Sequence, residues 1–228
     1  MSPKVVFCAS GGGTGFDNCC AGLEDGRLDA NIVGLIHNVP CGAVDIAKKR
    51  GIRTRYFPKS ERVPGAHEAL VRELSGDDEC FGMASGALWK LEMKDGPDDP
   101  GPGLDPRYWV NIHPGLLSLR YPDRQPVLGG HRMHGDIVHD TAVHLGLRDS
   151  GLAMHFMTKE FDDGPIIFEY PVPIIYREGR HLKRGVNAME HYFQPWVTDL
   201  VVHKQIQWDG KNGWSLVVPK GYRFLPSS

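Results

Sequence analysis

No excess of one charge marks this sequence: 26 lysines and arginines stand against 28 aspartates and glutamates, a formal net charge of -2. A broad nucleic-acid footprint needs a strongly basic face, so that class is excluded, while room remains for a small basic pocket that takes an anionic metabolite. No apolar run is long enough to span a bilayer, and Met1-Ser2-Pro3-Lys4 carries no signal-peptide pattern, so the expectation is the reducing cytoplasm and no membrane partner. Cysteine is sparse. Cys8, Cys19, Cys20, Cys41 and Cys80 make an odd count of 5 without a C-x-x-C, which argues against a disulfide framework and a cysteine zinc site. A dinucleotide fingerprint is missing too: counted from Gly11 the last position of G-x-G-x-x-G is Phe16, and from Gly13 it is Asn18. The Gly-Lys-Ser/Thr of a Walker loop is also absent.

What remains is an ordinary globular composition, 41% hydrophobic over 228 residues, enough for a core that needs no staples. Short apolar runs at 5–9, 31–36, 54–57 and 79–83 alternate with helix-like stretches at 16–23, 42–50 and 65–74. That alternation predicts an α/β fold with a mostly parallel, Rossmann-like sheet flanked by helices. Beyond an irregular stretch at 94–103, strands are expected at 108–112, 152–157 and 166–172, with helices at 133–145 and 183–201. One domain over 1–200 is expected, and 201–228 reads as a strand-like extension packed on it, broken by Asp209-Gly210 and Asn212-Gly213 turns.

Four places can carry chemistry. Ser10-Gly11-Gly12-Gly13-Thr14-Gly15 follows the first strand, where backbone amides and a helix N-terminus suit an anion; phosphate binding is favoured there over a plain tight turn. Asn111 and His113 lie two apart on a strand end and therefore look into one site, an amide donor beside an imidazole, before Pro114-Gly115 turns the chain. Asp162-Asp163-Gly164-Pro165 offers a carboxylate to orient an imidazole, although Asp-Gly and Gly-Pro are also plain turn chemistry. Glu190 and His191 diverge by about one hundred degrees on a helix, so only one can face a pocket. Histidines 131, 134, 139, 144 and 155 enrich the middle of the chain, but His131-x-x-His134 lacks the partners of a familiar zinc pattern, and no metal is expected. His155, shortly before the aspartate turn, is the better candidate to line the site.

In order and spacing, these segments resemble the glycinamide ribonucleotide transformylase family of folate-dependent formyltransferases. The family's S-G-x-G-S-N loop corresponds to Ser10–Gly15, its N-I-H-P-G/S-L-L segment to Asn111–Leu117, and its V-H-F-V strand to Met154–Met157. Its D-x-G-P-I-I turn corresponds to Asp162–Ile167, its Glu-His helix to Glu190-His191, and a G-G-x-x-M-Y-G form to Gly129–Gly135. The resemblance implies formyl transfer from 10-formyltetrahydrofolate, as cosubstrate, to the amine of glycinamide ribonucleotide, without a metal. Asn111, His113 and Asp162 would be catalytic, with Asp162 holding His113 charged or passing a proton through water from the amine to the folate. Gly12, Gly13, Thr14 and Gly15 would bind the substrate phosphate, and Glu190 and Pro114 the rest of the acceptor. Leu88, Trp89, Leu91 and His155 would line the folate cleft.

An amino-sugar nucleotide acceptor, or silent folate binding, is the alternative to that acceptor chemistry. Small-molecule substrates are the implied partners, and both a monomer and a homodimer stay open. This chain departs from the family pattern at Gly15, where an asparagine is usual, and at Ser118, where a proline is usual. It also departs in an insertion at 119–128 and in a long loop at 94–103.

Overall fold

Short apolar runs set the strands: β1 (Lys4–Ala9), β2 (Asn31–His37), β3 (Thr54–Tyr56), β4 (Phe81–Ser85), β5 (Trp109–His113), β6 (Asp149–Phe156) and β7 (Ile166–Pro173). In the computed structural model, which describes residues 2–76, 79–211 and 215–226, they form one 7-stranded sheet in the order β3-β2-β1-β4-β5-β6-β7. The pairs from β3 through β5 are parallel, and β6 pairs antiparallel with both β5 and β7. The chain winds outward from β1 to β3, then returns to place β4 on the other side of β1. That reversal opens a crevice at the carboxyl ends of β1 and β4, where doubly wound sheets bind ligands.

Among the described residues five α-helices cover the sheet: α1 (Thr14–Asp25), α2 (Gly42–Lys49), α3 (Ala66–Ser75), α4 (Asp136–His144) and α5 (Gly179–Val202). Because successive strand residues face opposite sides, β1 feeds two cores. Val5, Phe7 and Ala9 join Phe16, Phe156, Phe168 and Val197 on one face. Val6 and Cys8 join Ile36, Phe57, Leu74 and Trp109 on the other. Cys19 and Cys20 were expected on different sides of a helix; both are buried, because α1 is wedged between sheet, α2 and α5. Burial also raises the Cys20 thiol to about 11, which keeps it protonated and inert.

Two helix starts differ from the sequence reading by three residues or more. α4 starts at Asp136 rather than 133, since Gly135 takes φ 56 and ψ -134, a conformation outside the helical basin. α5 starts at Gly179, four residues ahead of the apolar stripe that the sequence shows, and runs on through Pro195. Pro195 cannot bond His191 O, and Arg27 Nη1 donates to that freed carbonyl at 3.0 Å, while the ring packs on Gly22 of α1, where an added Cβ would stand 2.6 Å from the proline Cβ. This close α1–α5 contact sets where the Glu190 turn of α5 meets the glycine loop.

The tail adds a two-stranded ribbon, β8 (Gln207–Trp208) and β9 (Leu216–Val217), while the Asn212-Gly213 turn lies outside the described residues. Further on, the Glu169 amide donates to Phe224 O at 2.7 Å and Phe224 stacks on Phe168 at 5.1 Å, covering the β7 side of the sheet. The 94–103 loop has no regular structure but is tied together by Asp99, which accepts from the Asp95 and Gly101 amides at 2.9 and 2.8 Å.

Candidate active site

β5 ends at the crevice, and its alternation sends Asn111 and His113 into one cleft of about 820 Å³. Asp162 enters from the β6–β7 turn with φ 53, a left-handed conformation that aspartate tolerates better than most side chains. Its Oδ2 accepts from the Gly130 amide at 2.8 Å and lies 3.6 Å from His113 Nδ1; its Oδ1 lies 3.4 Å from His155 Nε2. Asn111 Nδ2 lies 3.1 Å from His155 Nε2 and donates to Asp162 Oδ1 at 3.4 Å. His113 Nε2 meets Leu128 O at 2.5 Å, which assigns the proton of the neutral ring to Nε2.

The electrostatics of this cluster differ in one respect from the sequence expectation. Burial alone would push the Asp162 carboxyl up, yet the His155 hydrogen bond, the two imidazoles and the Gly130 amide overcome it and leave the group at about 2. Asp162 is therefore charged at rest. His113 was expected to be held in its charged form; instead its burial lowers its pKa by more than Asp162 and the Leu128 carbonyl raise it. The resting pair is a neutral imidazole beside a carboxylate.

The sequence-predicted residues divide into two groups. Gly12, Thr14, Leu88, Trp89, Leu91, Pro114, His155 and Glu190 all line the cleft with the Asn–His–Asp cluster. Gly13 and Gly15 stand behind its surface. Gly13 caps α1 with φ 82, and a Cβ there would lie 2.5 Å from Ala43 Cα. Gly13→Ala combines a left-handed penalty with a backbone clash, so a loss of about 3 kcal/mol is expected in denaturant unfolding. Gly15 is buried in the first turn of α1, where its amide still points with the helix N-terminus. Trp89 is buried and its indole Nε1 has no partner among the described residues, whereas Leu88 is 55% exposed at the rim.

Several cleft residues were missed by the sequence reading. Lys183 and Asn187 line it together with Glu190, at the i, i+4, i+7 spacing of one helix face; that period, counted back from Glu190, would have found them. Leu128 O and Gly130 N act through the backbone, which leaves no mark on residue type. Contrary to a helical His131-x-x-His134, those residues lie in the irregular segment before α4. His191 is exposed, as its angle from Glu190 requires.

Burial raises the Glu190 carboxyl to about 7, so its ionisation opposes folding. Stability from this group is full below about 4.5 and is lost as pH rises through 7. Glu190→Gln should accordingly raise the thermal midpoint at pH 8, by the equivalent of about 2 kcal/mol, and leave it unchanged at pH 4. Equal midpoints at pH 8 would mean that water reaches the carboxylate.

Fold and cluster together define a formyltransferase-fold protein, an α/β sheet that presents Asn, His and Asp at one cleft. Comparison in sequence and structure narrows this further: the chain is similar to phosphoribosylglycinamide formyltransferases. It is 29% identical over 210 residues to the chloroplastic phosphoribosylglycinamide formyltransferase of Arabidopsis thaliana, covering 90% of this chain and 67% of that one. It is 31% identical over 121 residues to the Escherichia coli phosphoribosylglycinamide formyltransferase, covering 50% of this chain and 49% of the other. Among solved structures, glycinamide ribonucleotide transformylase 1 from Symbiobacterium toebii superposes with a TM-score of 0.74 over 99% of this chain and 95% of that chain, at 22% identity, which bears on the fold. The chain spans 65–67% of the length of the chloroplastic relatives. No family model matches it.

Proposed function

We propose that this chain transfers a formyl group from 10-formyltetrahydrofolate to the amine of glycinamide ribonucleotide, a step of de novo purine biosynthesis. One observation carries the reading: Asp162 and His113, 3.6 Å apart, sit beside Asn111 in a cleft bounded by the glycine loop and by apolar walls. Its volume of about 820 Å³ suits two small molecules held side by side.

In the reaction the amine nitrogen attacks the formyl carbon, a new C–N bond forms, and the bond to the folate nitrogen breaks. The amine must shed a proton and the leaving nitrogen must gain one. A neutral His113 can take up the first, Asp162 stabilises the imidazolium so formed, and the proton passes on to the leaving nitrogen. Asn111 supplies the donor for the developing oxyanion. Without substrate its Nδ2 donates to Asp162 Oδ1 at 3.4 Å, and this long bond is the one exchanged.

The acceptor phosphate lies on the Gly12–Gly15 amides at the α1 N-terminus, with Glu190 and Pro114 beside the acceptor's ribose and amine. Trp89, Leu91 and Leu88 wall the pterin, and the 157–161 segment faces them. No helix among the described residues is long and apolar enough to cross a membrane. A reducing cytoplasm suits five free cysteines, and we place the protein there as a monomer or homodimer that acts on small molecules.

The test is the absorbance change on folate deformylation, followed with and without glycinamide ribonucleotide. Turnover should require the amine. Equal turnover without it would replace this reading with hydrolysis, and turnover only with an amino-sugar nucleotide would change the acceptor.

A further inference from the structure

Below the acceptor side of the cleft lies a polar knot of Ser85, Gln194 and Glu190, of which formyl transfer, as derived above, uses Glu190 alone. A Cβ on residue 15 would collide with Ser85 Oγ, and would stand 2.6 Å from Gln194 Oε1 and 3.1 Å from Glu190 Oε1. One side chain comes from the end of β4 and two from successive turns of α5, and all three gather where a loop side chain would otherwise sit.

Gln194 is fully buried at 0% exposure. Its Nε2 donates to Ser85 Oγ at 3.4 Å, and among the described residues its Oε1 has no donor. A buried carboxamide with an orphan oxygen asks for an explanation. The neutral carboxyl of Glu190, gathered at the same point, can supply the missing hydrogen. Burial keeps a large share of Glu190 in that neutral form near pH 7. The helix backbone is fixed here as well, since Thr198 Oγ1 donates to Gln194 O at 2.7 Å and Pro195 packs on Gly22.

We propose that Gln194 is a positioning residue for Glu190: its carboxamide, braced by Ser85, accepts the Glu190 carboxyl hydrogen and aims that carboxyl at the acceptor. Residue 15 is glycine because this carboxamide occupies the space of a loop side chain. The proposal rests on the reading of the cleft as an acceptor site. It concerns specificity for the amine substrate and makes no contact with the reacting atoms.

Two measurements test it. In protein labelled with ¹³C at glutamate side chains, the Glu190 resonance, assigned by its loss in Glu190→Gln, should titrate near neutrality. In Gln194→Met, which keeps the volume and removes the acceptor oxygen, the midpoint should fall by about one pH unit, the worth of one hydrogen bond to the neutral form. A midpoint that holds or rises overturns the proposal, and this readout needs no acceptor.

In kinetics, Gln194→Met should raise the KM for glycinamide ribonucleotide about tenfold while the folate KM moves less than twofold. In a Glu190→Gln background the same substitution should raise the acceptor KM no further. Additive effects would mean that Gln194 merely supports the helix, and would overturn the proposal. A fallen midpoint in a protein without amine-dependent turnover would keep the Gln194–Glu190 coupling and sink the formyl-transfer reading instead.

Discussion

His113→Ala lowers turnover by about a thousandfold while folate affinity stays within about threefold, the loss typical of removing a proton-transferring side chain. His113 is 4% exposed and held between the Leu128 carbonyl and Asp162, so its ring has one orientation. Removing it deletes the group that accepts the amine proton without touching the apolar wall of Trp89 and Leu91. His113→Gln serves as the companion, because an amide can still donate to the Leu128 carbonyl but cannot relay a proton. It should fold as the parent does and be nearly as slow as the alanine variant. Steady-state rates with folate binding by fluorescence check both, and near-parental turnover in either would remove His113 from the mechanism.

Asp162→Asn is the second large effect, and it should appear in rate and in stability together. The substitution keeps the side-chain shape and a residue that tolerates φ 53, but removes the charge that stabilises the imidazolium. A loss of roughly a hundredfold to a thousandfold in turnover is expected. For stability, the folded carboxyl sits at about 2 against an ordinary 3.8, so it contributes above the ordinary value and loses that contribution as pH falls from about 4 to about 2. The variant should therefore be about 2 kcal/mol less stable at pH 7, and the gap should close toward pH 2. Denaturant midpoints across that range measure it; a constant gap would mean that the loss is packing and not charge.

Much of this site is visible in the sequence because periodicity carries it. Two-residue spacing placed Asn111 and His113 on one side of a strand, and the helical angle separated Glu190 from His191; both geometries hold. The α/β alternation was legible for the same reason, since each strand is a short apolar run between turn residues. What was not legible depends on contacts between distant segments. The 119–128 insertion reads as an irregular stretch, yet it ends in the Leu128 carbonyl that fixes the His113 tautomer. Asp162 reads as turn chemistry, and its left-handed φ appears only when the β6–β7 turn has closed. A carboxylate neighbour suggested a charged His113, but the opposing burial has no sequence signature. Gly15 looked like a lost side chain; in the fold, Ser85 and Gln194 fill its place.

The measurement that bears most directly on direct formyl transfer follows the carbon itself. The protein is given 10-formyltetrahydrofolate labelled with ¹³C in the formyl group, together with glycinamide ribonucleotide, and the products are read by mass and carbon resonance. The account predicts the label on the amine of the ribonucleotide, formed in step with released tetrahydrofolate, and absent with Asp162→Asn on the same time scale. Label recovered as free formate, at a rate indifferent to the ribonucleotide, would contradict it.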